Sequence, residues 1–151
     1  MRSIFANTLL LLAVTVSVCL GADNSLGTWK LDLAKSKAGA MKSLTVTRES
    51  VEGGVKVTAM GETNDGTAYK HTFTAPYDGK EVPLTGNATF DRISVKRVDV
   101  NTLTDERRKI DGSAKGTART VISDGGKVMT ITIRGTIPQG ALYQVFVFDK
   151  Q

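Results

Sequence analysis

Apolar and polar residues alternate along most of the chain, in short runs that end at glycine-rich turns. In the first run Trp29 and Leu31 alternate with polar residues, and Ile93 and Val95 do the same in a later run. A period of two places successive side chains on opposite faces of a β-strand, so each run is predicted to be a half-buried strand. The abundance of threonine, valine and isoleucine supports this prediction, because β-branched side chains favour strands.

The turns between the runs predict how the strands are connected. Asp111-Gly112 and Asp124-Gly125-Gly126 are turn signals at hairpin spacing, which favours neighbouring antiparallel strands. No amphipathic run long enough for a crossover helix lies between the strands, so parallel pairing is not expected. We therefore predict an all-β, antiparallel up-and-down meander of about eight or nine strands. Closing it into a barrel would remove its exposed edges, and a two-sheet β-sandwich is the alternative.

The first 21 residues differ in character from the rest. Arg2 supplies a positive charge, residues 4–20 are mostly apolar, and the small residues Gly21 and Ala22 follow. This is the pattern of a secretory signal peptide, so we expect residues 1–21 to be removed by cleavage after Gly21 or Ala22. The protein would then be exported to the periplasm or secreted, with no stable membrane insertion. The alternative is an uncleaved anchor, for which the apolar run is at the short end of the ~20 residues needed.

Residues 22–151 are long enough for one domain with its own core. The chain's one cysteine, Cys19, lies in the predicted signal peptide, so we expect the exported domain to fold without disulfides. The formal net charge of the whole chain is +5, but its basic residues are scattered without an aromatic platform, which argues against nucleic acid as a partner. With a single histidine, His71, and no cluster of metal ligands, neither a metal nor another cofactor is expected.

No residue pattern in the sequence predicts catalysis. Ser113 lies in a Gly-Ser-Ala-Lys-Gly run, one position too early for a nucleophile elbow. No glycine-rich loop ends in the Gly-Lys-Ser/Thr that binds phosphates, and nothing selects one pair of carboxylates for acid–base chemistry. We therefore predict that the protein is not an enzyme.

Gly27-Thr28-Trp29, at the start of the first predicted strand, resembles the Gly-x-Trp opening of the lipocalins and their relatives, the calycins. The resemblance implies a lipocalin-like barrel over residues 22–151, with Trp29 at its closed end against a late basic residue, and a small ligand inside. Trp29-Lys30-Leu31, Ala34-Lys35-Ser36-Lys37 and Asp149-Lys150-Gln151 also resemble a group of short exported bacterial proteins. That second resemblance implies no particular activity.

Candidate ligand-binding residues are those that share a predicted strand face with apolar neighbours: Tyr69, His71, Phe73, Arg97, Arg119 and Phe146. In a binding barrel the aromatic rings would form the wall, and His71 would offer one directional hydrogen bond. Arg97 and Arg119 would bind a carboxylate bidentately if their faces are interior. The alternative is that Tyr69 and Phe73 only fill the core, while the arginines form surface ion pairs that contribute little.

The last predicted strand is apolar on both faces. Leu142 and Phe146 lie on one face, and Tyr143 and Val145 lie on the other. Burial of the second face against another copy of the chain would explain this pattern, and so would a covering loop, which leaves a homodimer open.

The sequence thus leads to one prediction and one alternative. The prediction is an exported lipocalin-like protein that binds a small apolar or amphipathic ligand, hydrophobic or carboxylate-bearing, without catalysis. The alternative is a structural or interaction module whose barrel is packed solid and holds no small-molecule ligand. An interior cavity above roughly 300 Å³ would favour the first.

Overall fold

The computed structural model describes residues 22–151, so the predicted signal peptide lies outside the described residues. This part of the chain forms ten strands: β1 (Gly27–Leu31), β2 (Met41–Val51), β3 (Gly54–Thr63), β4 (Ala68–Pro76), β5 (Val82–Pro83), β6 (Arg92–Asp99), β7 (Thr102–Arg108), β8 (Lys115–Ser123), β9 (Val128–Ile137) and β10 (Gly140–Lys150). All ten lie in one sheet in the order β4-β3-β2-β1-β10-β9-β8-β7-β6-β5. Each pair of neighbours is antiparallel, and the sheet curls into a nearly closed barrel, which confirms the predicted up-and-down all-β architecture.

The barrel closes where β4 meets β5 and β6, a junction called the seam below. At the seam the backbone of Thr72 exchanges two hydrogen bonds with that of Thr85, at 2.9 and 3.0 Å, and the N–H of Gly79 donates to the carbonyl of Val95 at 2.9 Å. No continuous ladder runs along it, in keeping with the lack of a backbone donor at Pro76 and Pro83. The seam is therefore the most weakly paired part of the wall.

The interior of the barrel receives alternate residues of each long strand. Trp29, Ile93, Met129 and Phe148 are at most 1% exposed. This is the parity that the alternating runs predict, because a strand turns successive side chains to opposite faces. Leu33 departs from it and is 47% exposed, because β1 ends at Leu31.

One end of the barrel is closed by Trp29 and the segment before β1. The indole Nε1 of Trp29 donates to the carbonyl of Ser25 at 2.9 Å, and the ammonium of Lys150 lies 5.1 Å from the centre of the indole ring. The side chain of Asn24 ties the same segment to the β6–β7 turn by donating to Asn101 at 2.7 Å. This closed end is compatible with the lipocalin-like barrel that the Gly-x-Trp resemblance implies.

The opposite end of the barrel is its mouth. It is bordered by the connections 32–40, 64–67, 84–91, 109–114 and 138–139. Gly86, in the third of these, has a φ of +84°, and a Cβ there would come within 2.2 Å of the carbonyl oxygen of Lys70. Glycine is therefore required for this connection to pack against β4 beside the seam. No helix within residues 22–151 has the length and apolar character needed to cross a membrane.

Candidate ligand-binding cavity

A cavity of about 300 Å³ lies inside the barrel. On β9 and β10 its wall is apolar except for Gln144, and consists of Ile131, Ile133, Ile137, Leu142, Phe146 and Phe148. Polar side chains line it mainly from β2, β4, β7 and the connection 84–91, which supplies Asn87 and Thr89. The volume is at the lower end of the range for small-molecule sites, and the mostly apolar lining is typical of them.

A chain of hydrogen bonds orients the polar groups on β4. The side-chain oxygen of Asn87 accepts the backbone N–H groups of Thr89 and Phe90, each at 2.9 Å, which fixes the direction of the amide. Its nitrogen donates to the hydroxyl of Tyr69 at 3.2 Å, and that hydroxyl lies 2.6 Å from Nδ1 of His71. With the phenolic proton donated to Nδ1, the neutral imidazole carries its hydrogen on Nε2.

The imidazole of His71 is held neutral by its surroundings. Burial, the largest cause, and the positive charge of Arg107 together lower its pKa to about 4, against the opposing effect of the negative charge of Asp105. A buried imidazole loses the hydration that stabilises its charged form, so the pKa falls. At neutral pH, His71 is therefore a hydrogen-bonding group without charge.

The low pKa of His71 makes stability depend on pH. An unfolded histidine binds a proton near pH 6.5, whereas folded His71 binds one only near pH 4, so the unfolded state gains protons first as the pH falls. We expect His71 to reduce the free energy of unfolding by about 3 kcal/mol between those two pH values. The loss should be complete near pH 4 and absent above pH 7.

Urea unfolding of the wild type and of His71→Gln at several pH values would measure this effect. The pH dependence between 6.5 and 4 should be weaker in the variant, because glutamine does not titrate. Since the chain has one histidine, its imidazole signals in NMR spectra are unambiguous. A titration midpoint near 6.5, together with the same pH dependence in both proteins, would contradict a buried neutral imidazole.

Arg107 and Asp105 form a nearly buried ion pair in the cavity wall. Nε and Nη2 of Arg107 donate to the two oxygens of Asp105 at 2.6 and 3.0 Å, and the two side chains are 11% and 10% exposed. Burial by itself lowers the pKa of Arg107, but the charge and hydrogen bonds of Asp105 outweigh it, so the pKa is raised. The pair therefore brings two charges to the wall that neutralise each other.

Arg48 is a functional candidate that the sequence interpretation missed, as it also missed Asn87 and Asp105. Arg48 is 7% exposed, lines the cavity, and has an Nε without a hydrogen-bond partner, the one buried side-chain nitrogen or oxygen in this condition within residues 22–151. Burial lowers its pKa, against the opposing effects of Tyr77, Asp23 and Asp105. The sequence carried a signal, because Arg48 continues the apolar face of Leu44 and Val46 on β2.

Four of the six predicted site residues line the cavity: Tyr69, His71, Phe73 and Phe146. Arg97 does not line it. It shares a strand face with Ile93 and Val95, as the pattern indicates, but it lies near the closed end, where its Nη2 donates to the carbonyl of Ala22 at 3.0 Å. Its guanidinium carbon also lies 5.9 Å from the ring centre of Tyr77.

Arg119 also lies outside the cavity, which corrects the interpretation that its face is interior. It is exposed, and the buried residues of β8 are Ala118, Thr120 and Ile122. Because side chains alternate along the strand, Arg119 and Val121 face outward together. Arg119 does share a strand face with an apolar residue, as the pattern indicates, but that face is the outer one.

The scan against protein-family models and the search of curated proteins matched nothing to this chain. Within residues 22–151, no three His, Cys, Asp or Glu side chains are grouped so that they could hold a metal ion. Fold and cavity alone therefore define the class: a nearly closed, ten-stranded antiparallel barrel with an internal cavity, compatible with a lipocalin-like barrel.

Proposed function

We propose that this protein is an exported, lipocalin-like binding protein that holds a small amphipathic ligand inside the barrel without transforming it. The observation that carries the proposal is the internal cavity of about 300 Å³, whose mostly apolar lining includes a few fixed polar groups. Small-molecule sites combine an apolar lining with a small number of placed polar groups in this way.

The state of the polar groups favours binding over catalysis. His71 is the natural candidate for a general base, yet its pKa is lowered to about 4 and its Nδ1 is engaged by Tyr69. A general base works best with a pKa near the operating pH, so His71 is poorly matched to that task at neutral pH. The charge of Arg107 is already neutralised by Asp105, so Arg107 has less charge to offer to a negative charge that develops in a reaction.

Export is proposed from the sequence of residues 1–21, with the periplasm or the medium as the place of action.

On the outer face of β10, Tyr143 is 51% exposed between the cations of Lys37 and Arg134, which lie 5.9 and 5.2 Å from its ring centre. Self-association through this face stays a prediction, and the mass measurement described next reports on it as well.

Native mass spectrometry of the mature protein purified from its exporting host tests the proposal. We expect a species heavier than the chain by one small molecule, which is released on collisional activation. Ala59→Phe should abolish the adduct, because Ala59 lines the cavity and is 1% exposed. Met60→Phe is the matched control, since Met60 is the next residue on β3 and is 52% exposed.

Two results would contradict a cavity ligand. One is a ligand-free mass for the wild type in every preparation, and the other is an adduct that survives Ala59→Phe. The first result would favour the alternative of an interaction module without a small-molecule ligand, and the second would mean that the small molecule binds outside the cavity.

A further inference from the structure

Arg48 places a positive charge deep inside the cavity. On β2 it is the Cα partner of Gly27, at the start of β1, so it lies near the closed end of the barrel. It is buried and lines the cavity, in one row across the sheet with Val57 and Phe73. The neighbours in that row are apolar, so their side chains cannot accept a hydrogen bond from the guanidinium.

Arg48 has no counter-charge of its own. None of the ion pairs within residues 22–151 includes it, and the charges of Asp23 and Asp105 act on it only from beyond ion-pair distance. Both oxygens of Asp105 already accept from Arg107, at 2.6 and 3.0 Å. Burial lowers the pKa of Arg48, but an arginine stays protonated in proteins, so its buried charge remains costly.

Asp23, at the closed end, is engaged by other donors as well. One of its oxygens accepts from the backbone N–H and the hydroxyl of Ser25, at 2.9 and 2.6 Å, and the other accepts from the hydroxyl of Tyr77. Burial and the hydrogen bond to Asp23 raise the pKa of Tyr77 to about 12, so its phenol is neutral at neutral pH. Tyr77 therefore offers Arg48 a hydrogen bond but no negative charge.

The charges of the cavity lining do not balance. Among the described residues that line it, Arg48 and Arg107 are positive and Asp105 is negative, while His71 is neutral at neutral pH. Asp105 neutralises Arg107, which leaves the positive charge of Arg48. The Nε–H of Arg48 also lacks an acceptor. A ligand with one negative charge and acceptor oxygens would meet both needs.

Mostly apolar side chains line the cavity between Arg48 and the mouth. Leu44 precedes Arg48 on the inner face of β2, and Met41 lines the cavity at the mouth end of that strand. Leu142 lies near the mouth on β10, and Gln144 adds a polar group beside it. An apolar chain that extends from Arg48 towards the mouth would therefore be buried against apolar groups along most of its length.

We propose that the ligand is a small amphipathic carboxylate, bound with its carboxylate on Arg48 deep in the barrel and its apolar chain directed towards the mouth. A planar carboxylate fits the fork of a guanidinium, and its one negative charge matches the unbalanced charge of the lining. A phosphate monoester, with about 1.5 to 2 negative charges at neutral pH, would exceed it. This inference rests on the proposed function, since it names the ligand class of the same cavity.

The inference also changes which arginine binds the carboxylate. The sequence pattern indicates Arg97 and Arg119 for this role, but neither lines the cavity. Arg48 has the interior position that the role requires.

Three probes with the same apolar chain test the ligand class: octanoate, octanol and octylammonium, whose head groups are negative, neutral and positive. The measurement is NMR titration of the isotope-labelled mature protein at neutral pH. We expect octanoate to bind about ten-fold more tightly than octanol, the effect of a charged hydrogen-bonded pair, and octylammonium to bind most weakly. The Nε–H signal of Arg48 should shift with octanoate, because that group gains an acceptor.

Substitutions of Arg48 separate its charge from its packing. Arg48→Met keeps an apolar stem without the charge, so octanoate should lose its ten-fold advantage while the affinity for octanol is unchanged. Arg48→Lys keeps a positive charge and should retain part of the advantage. Arg119→Met, on the exposed outer face, is the control and should change neither affinity. An advantage that survives Arg48→Met, or an equal loss for both probes, would overturn the role of Arg48.

A measurement on the wild type keeps the test decisive if Arg48→Met does not fold. Octanoate labelled with 13C at its carboxyl carbon reports its own ionisation through the carbon chemical shift. The adjacent guanidinium should lower the pKa of the bound carboxyl below that of octanoate in water. A bound carboxyl with a pKa above that of octanoate in water would show an apolar site without a paired cation, and would contradict the inference.

The outcomes separate this inference from the proposed function. Octanol binding as tightly as octanoate would overturn the ligand class and leave a binding cavity in place. If none of the three probes shifts the signals of cavity residues, the ligand class is overturned as well. The adduct in native mass spectrometry, and its loss in Ala59→Phe, then decide separately whether the proposed function stands.

Discussion

Replacing Trp29 with alanine is expected to destabilise the protein by about 3–5 kcal/mol, as truncation of a large core side chain does. The indole is completely buried, its Nε1 donates to Ser25 at 2.9 Å, and Lys150 covers its ring. Truncation would therefore leave a void at the closed end and a carbonyl without its donor, and it would loosen the segment that plugs the barrel. Urea unfolding followed by far-UV circular dichroism would measure the change, since the variant has no tryptophan fluorescence.

Tyr143→Ala is the matched control for the loss of an aromatic ring. Tyr143 is 51% exposed on the outer face of β10, so its truncation should change the free energy of unfolding by less than 1 kcal/mol. A change below 1 kcal/mol for Trp29→Ala as well would show that the closed end does not anchor the barrel. The Gly-x-Trp resemblance would then have identified a packing detail and not a structural element.

The architecture could be predicted from the sequence because the alternation of residues and the turn signals agree. Once Trp29 and Leu31, or Ile93 and Val95, are placed on one face, a period of two decides which side chains enter the core. Hairpin turns then make sequence neighbours into sheet neighbours, which is the order observed except that β1 pairs with β10 and that β4 and β5 lie at the two ends of the order. The pairing of the first strand with the last is the one long-range ladder, and the removal of exposed edges predicts it.

The candidate site could be predicted only in part, because alternation does not say which of two mixed faces is interior. On β8, Val121 and Ile122 place one apolar residue on each face of the strand. Ile122 is the one that packs into the core, so Arg119, on the opposite face, lies outside the barrel. On β2 the apolar face is clear, and its continuation to Arg48 went unrecognised because a buried arginine is rare. The position of Arg97 along the barrel depends on the segment at Ala22, which no periodic pattern describes.

Replacing Asp105 with asparagine is expected to destabilise the protein by about 3 kcal/mol, because it leaves the guanidinium of Arg107 nearly buried without a counter-charge. The two side chains are only 11% and 10% exposed and are joined by two hydrogen bonds, so little water is available to replace the carboxylate. Asparagine has the same shape, so the change in packing is small and the loss reports on charge. Urea unfolding at neutral pH is the measurement.

Glu81→Gln provides the comparison at the surface. Glu81 and Arg108 also form a two-bond pair, at 2.7 and 2.6 Å, but their side chains are 41% and 48% exposed, so the expected change is much smaller than that for Asp105→Asn. Adding Arg107→Met to Asp105→Asn should restore most of the lost stability, since the uncompensated charge is then removed. Equal effects of Asp105→Asn and Glu81→Gln would mean that water reaches Arg107. That result would contradict a nearly buried ion pair in the cavity wall.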